Sequence, residues 1–119
     1  GKLIRDVVWE VGERPQKPAC LNGKVYVPVC GSEDPRVVIY TEELEEIASV
    51  RPEEPILTIL ALHRRKMLFA VGESGIYLMD ETGHLTEKIY DTGLRGHWYV
   101  TEDDVIYLAQ RFNLYKIDL

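Results

Sequence analysis

The chain has 119 residues, 45% of them apolar, so it can bury a core and falls outside the disordered and fibrous classes. With 14 basic and 20 acidic residues the net charge is -6, which excludes a broad surface for nucleic acid or anionic membrane, since such polyanions are held by Lys and Arg. No apolar run approaches the roughly 20 residues of a bilayer span, and Gly1 to Arg5 does not lead into the apolar core of a signal peptide, so the expectation is a cytoplasmic chain.

The predicted elements are short strands. Leu3 to Val11 is a strand-like run rich in aliphatic residues. Ala19 to Leu21 leads into Asn22-Gly23, a dipeptide suited to a tight hairpin turn, and Val25 to Val29 follows. Val37 to Tyr40 comes after the turn-rich loop Gly31 to Arg36. Thr41 to Ser49 has a helical spacing of Leu44, Ile47 and Ala48 behind a capping Thr. It is short for a helix, and alignment with the repeats below favours a strand there. Ile56 to Leu62, Met67 to Val71, Ile76 to Met79 and Leu85 to Tyr90 form the next set, separated by turns at 63–66, 72–75 and 80–84. His97 to Val100, Val105 to Ala109 and Leu114 to Ile117 complete the chain.

These runs repeat. Val25, Met67 and Val105 open equivalent strands about 40 residues apart, as do Val37, Ile76 and Leu114. Ile76 to Asp80 and Leu114 to Asp118 share an aliphatic-Tyr-x-aliphatic-Asp pattern. Val25 to Val29, Met67 to Val71 and Val105 to Ala109 are nearly continuous apolar runs, as sheets buried on both faces require.

Gly75 to Tyr90, with its Gly-aliphatic-Tyr-x-x-Asp run and Thr-Gly turn, resembles blades of sensor-type and quinoprotein-type β-propellers. The resemblance implies an all-β fold of four-stranded antiparallel blades: blade one over about 18–50, blade two over 56–90 and blade three over 96–119. Blade three then lacks its outermost strand, and Leu3 to Val11 stands where such a strand of a preceding blade would be. Three blades are half of a six-bladed ring, so the implied assembly is a homodimer closed by exchange of residues 3–11. The Trp-Asp and double-glycine signatures of other propeller classes are absent, so the resemblance implies no particular ligand.

Candidate chemistry is sparse. His63, His84 and His97 lack the spacing of a metal pair, and neither Asp103-Asp104 nor Glu33-Asp34 has the pattern of a calcium loop, so both acidic pairs read as solvated turns. Cys20 should lie opposite about Val25 and Cys30 well beyond it, which argues against a disulfide and for two buried thiols. In propellers the loops joining second to third strands, and blade to blade, share one face around the channel. Here they carry Arg36, Glu73, Arg95, His97, Trp98 and Arg111, a set suited to a protein partner or a small anion. The expected function is a non-catalytic interaction or structural module without cofactor or metal. The alternatives are a small hydrolase or anion-binding enzyme with its site at the channel mouth, or a piece of a longer propeller, since the chain begins with Gly1. Scarce Asn and Gln (Asn22, Asn113, Gln16, Gln110) match a thermophile composition.

Overall fold

Twelve strands and no helix make up the computed structural model, which describes residues 1–119. The first sheet holds β1 (Arg14–Pro15), β2 (Ala19–Leu21), β3 (Lys24–Cys30), β4 (Arg36–Thr41) and β5 (Glu46–Val50). The second runs β6 (Ile56–Leu62), β7 (Met67–Gly72), β8 (Ile76–Met79) and β9 (Leu85–Tyr90) in chain order. The third has three strands, β10 (His97–Val100), β11 (Ile106–Ala109) and β12 (Leu114–Ile117). Every pairing is antiparallel, so each sheet is a meander.

Local chemistry explains the turns. Asn22 and Gly23 both take positive φ, 50° and 73°, which fits the mirror-image turn that matches strand twist. A second turn recurs in all three sheets. The amide of Thr41 donates to the carbonyl of Glu45, that of Asp80 to His84, and that of Thr101 to Val105, each at 2.9 Å. The residue before each return, Leu44, Gly83 or Asp104, takes positive φ. The first of these turns settles the segment 41–49: Thr41 Oγ1 accepts from the Glu45 amide at 3.1 Å and the chain reverses into β5. Pairing with β4 prevails over helical spacing. In the first sheet the edge strand beside β3 is split into β1 and β2, because Pro15 and Pro18 offer no amide and interrupt the ladder along β3.

The sheets stack through two apolar layers. Tyr26, Val37 and Ile39 of the first sheet meet Ile59, Ala61, Leu68, Ala70, Tyr77 and Met79 of the second. The opposite face of the second, Leu60, Leu62, Phe69, Val71, Ile76 and Leu78, meets Ile106 and Ile117 of the third. Successive residues of β7 and β8 therefore enter different layers, and those of β4 alternate between the first layer and the outer face of its sheet, which accounts for their unbroken apolar runs.

The two outermost faces differ. On the first sheet Val27, Val29, Val38 and Tyr40 form a small apolar cluster, covered by Val7 and Trp9 from the N-terminal segment. The Trp9 and Tyr40 rings meet edge to face at 6.4 Å. Within the single chain, residues 3–11 join no ladder. A strand needs a partner edge, and this segment lies across a sheet face, with Leu3, Ile4, Val8 and Val11 turned outward. On the third sheet the outward face presents Tyr99, Tyr107 and Lys116 in register, and β12 has no neighbour on its outer side. Tyr99 and Leu114 are 66% and 72% exposed there.

Candidate functional site

Antiparallel meanders place the loops of residues 31–35, 73–75 and 110–113, with connections 51–55 and 91–96, at one end of the sheets. The tight turns lie at the other end. Each candidate residue is positioned by the strand that begins or ends at that loop end.

Arg95, His97 and Arg111 line one open cavity of about 480 Å³ with Gly96, Ala109 and Gln110. His97 pairs directly with Ala109 across β10 and β11, on the outward face of the third sheet. Gln110 Nε2 donates to the Arg95 carbonyl at 2.8 Å and so ties the two loops together. A side chain at position 96 would run into the Ala109 carbonyl oxygen, 2.5 Å from an added Cβ, so only glycine lets the connection lie this close. Neither Arg95 nor Arg111 has a carboxylate within ion-pair distance; the nearest specific contact of Arg111 is the Phe112 ring, 5.2 Å from the guanidinium.

Trp98 and Arg36 stand apart from that cavity. Trp98 alternates to the inner face, where its ring packs on Phe69 at 5.5 Å, and it lines a smaller cavity of about 250 Å³ with Gln16, Leu57, Thr58 and Leu94. Arg95 borders both cavities. Arg36 lies on the outer side of the first sheet and is bound to Glu13. It lines a groove of about 670 Å³ between the N-terminal segment and that sheet. The Arg36 hydrogen bond holds the Glu13 carboxyl below its usual range, and a two-pronged contact from Arg51, 2.7 Å on each oxygen, does the same for Asp34. Sequence position put Arg36 with the other loop cations; strand parity separates it from them. Ser49, whose buried hydroxyl has no partner, borders the same groove.

One acidic turn residue read from the sequence as solvated is structural, and other polar groups are engaged in the same way. Asp104 is buried, accepting from the amides of Arg64 (3.1 Å) and Arg65 (2.8 Å), and so joins the tight turns of the second and third sheets. Glu54 accepts from the Ser74 amide (2.6 Å), the Ser74 hydroxyl (2.8 Å) and the Tyr77 phenol. Burial works to raise the Glu54 pKa, but the hydrogen bonds from Tyr77 and Ser74 outweigh it and hold the carboxyl below the usual range. The same bond to Glu54, helped by burial, pushes Tyr77 up to about 12. Tyr26 is also raised to about 12, by burial first and then by Glu81 and Asp80, while its hydroxyl donates to the Glu81 carbonyl at 2.7 Å. Cys20 is exposed rather than buried, since it sits on the edge strand β2 and faces away from both layers. It does lie opposite Val25, and Cys30, buried and opposite Arg14, has its thiol raised by burial. The only histidine ring with a hydrogen bond is that of His84, to the Thr82 hydroxyl within a turn, and no three His, Cys, Asp or Glu side chains are grouped to hold a metal. No helix is long and apolar enough to cross a membrane.

Comparison with family models, with curated proteins and with solved structures finds no match to this chain.

Proposed function

We propose that the chain is half of a six-bladed β-propeller and works as a homodimer, a non-catalytic interaction module whose loop end carries the partner contact. The observation that carries this reading is the complementary incompleteness of the two end sheets. The third sheet has an unpaired edge at β12, and its outward face carries exposed Tyr99 and Leu114. Residues 3–11 lie over the first sheet with no ladder partner and expose Leu3, Ile4, Val8 and Val11. An unpaired edge beside exposed apolar surface favours association. In a two-fold ring, the outward face of the third sheet meets the first sheet of the other copy, and residues 3–11 lie beside its β12.

A binding role at the loop end is favoured over a catalytic one because the groups with displaced pKa values are held elsewhere by partners that serve the fold. Glu13 and Asp34 lie together in the groove of the first sheet, each paired with an arginine, and Glu54, Tyr77 and Asp80 line neither that groove nor the cavity of Arg95, His97 and Arg111. A catalytic site at the channel mouth would draw such groups into that cavity.

Light scattering at micromolar concentration tests the assembly. The expected mass is twice the 13.7 kDa of the chain, and a mass of 13.7 kDa overturns the reading.

A further inference from the structure

The geometry points to a second copy of this chain as the partner of the Arg95, His97 and Arg111 cavity, which engages the acidic groove on the first sheet of that copy. This inference rests on the dimer reading and assigns the residues that hold its seam.

The charge pattern of the two outward faces is the first argument. Five carboxylates border the groove of the first sheet, those of Glu10, Glu13, Glu33, Asp34 and Glu46, against two guanidiniums, Arg36 and Arg51. Both guanidiniums are already engaged, Arg36 by Glu13 and Arg51 by Asp34. Glu10, Glu33 and Glu46 are left without an ionic partner. The third sheet shows the reverse. Arg95 and Arg111 at its loop end and Lys116 on its outward face have no carboxylate within 4 Å, although the chain holds 20 acidic residues. The groove thus holds three carboxylates without an ionic partner, and Arg95, Arg111 and Lys116 are three such cations on the third sheet.

Position is the second argument. The groove includes residues 32–34, and the cavity includes 95–97 and 110–111, so both reach the loop end of the sheets. Strand parity puts both on outward faces: Arg36 and Tyr40 on the side opposite the core layer, His97 and Tyr99 on the side opposite Trp98. Rotation about an axis along the channel keeps the loop end on one side of the ring. It therefore brings the cationic end of one copy onto the anionic groove of the other, twice per dimer. Complementary potentials of this kind set partner choice and register, while opposed like charges act against association.

The two seams permit a reciprocal test. Let one variant carry Arg95→Glu and Arg111→Glu, and a second carry Glu10→Lys and Glu33→Lys. The first has two acidic faces and the second two basic faces, so each alone sets like charges against each other at both seams. An equimolar mixture restores opposite charges at both. Sedimentation equilibrium is expected to show each variant dimerising at least tenfold more weakly than the wild type, and the mixture recovering a dimer that contains one of each. Lys66→Gln, a charge change in a tight turn at the other end, is the control and is expected to leave the dimer unchanged. A wild-type dimer that both variants match, or a mixture no tighter than its components, overturns the seam assignment and leaves the dimer standing. A wild-type chain that stays at 13.7 kDa overturns the dimer itself, and the seam with it.

Discussion

Glu54 sits on the connection between the first two sheets and holds a loop of the second through three hydrogen bonds. Charge-assisted bonds to a carboxylate are worth about 1.5–3 kcal/mol each, so Glu54→Gln is expected to cost on the order of 1–3 kcal/mol at pH 7 in urea denaturation. Its folded pKa is lowered, so its contribution is fully present above the unfolded value of about 4.3 and is lost as pH falls through the folded value. The gap between wild type and Glu54→Gln should therefore be constant near neutrality and shrink in acid; a gap that widens below pH 4 contradicts this role. At the alkaline end the signs are those of a raised phenol. Between about 10 and 12 the unfolded chain loses the Tyr77 proton first, and stability falls over that window. Lys66 tests backbone strain instead. It is exposed, has a φ of 57°, and Lys66→Gly relieves a left-handed conformation that disfavours a Cβ. A gain of up to about 1 kcal/mol is expected, and a loss of similar size would show that this turn is not strained. At this scale the sequence was legible where chemistry is local. Asn22-Gly23 announced both the turn and the placing of Cys20 against Val25. Asp104 and Glu54 were not legible, because their partners lie 40 and 20 residues away and a charged residue in a turn is by default solvated.

Among the elements, the strands were readable from β-branched and aromatic runs alone, but their faces were not. Where both sides of a sheet are buried, the alternation that marks a half-buried strand disappears, and the sorting of β4 into two layers becomes visible only in three dimensions. The segment 41–49 shows the complementary ambiguity. Leu44 matched a helical stripe, yet it occupies a positive-φ turn position. Residues 3–11 were read as a strand on composition, and composition cannot supply an edge to pair with. What the segment does here is cover the first sheet, so Trp9→Ala is expected to destabilise the chain by about 1–2 kcal/mol, below the range for a fully buried Trp because the ring is only half-buried. Equal stability of the two proteins in thermal unfolding would mean that Trp9 contributes nothing to that face.

For the whole molecule, three antiparallel sheets stacked in chain order were legible from a spacing of about 40 residues. The separation of Arg36 from Arg95, His97 and Arg111 was not, because equal loop positions fall on opposite flanks of a stack that has two ends. In a closed ring those flanks meet; in a single chain they are the two most distant faces. The expected doubling of mass and the reciprocal charge exchange are therefore questions about one geometric fact, asked first of association and then of its register.

Ala61 and Ala70 stand at the layer between the first two sheets, opposite Leu68 and Ile59 in the ladder. Small side chains let neighbouring sheets approach, and the angle between sheets decides how many fit around an axis. If two copies close the proposed ring, these alanines act on its stoichiometry. A bulkier residue at position 70 would prise the sheets apart and change the angle that each copy subtends. The same free edge and the same N-terminal segment would then no longer meet after two copies. They would close a ring of another number, or fail to close and grow as an open filament.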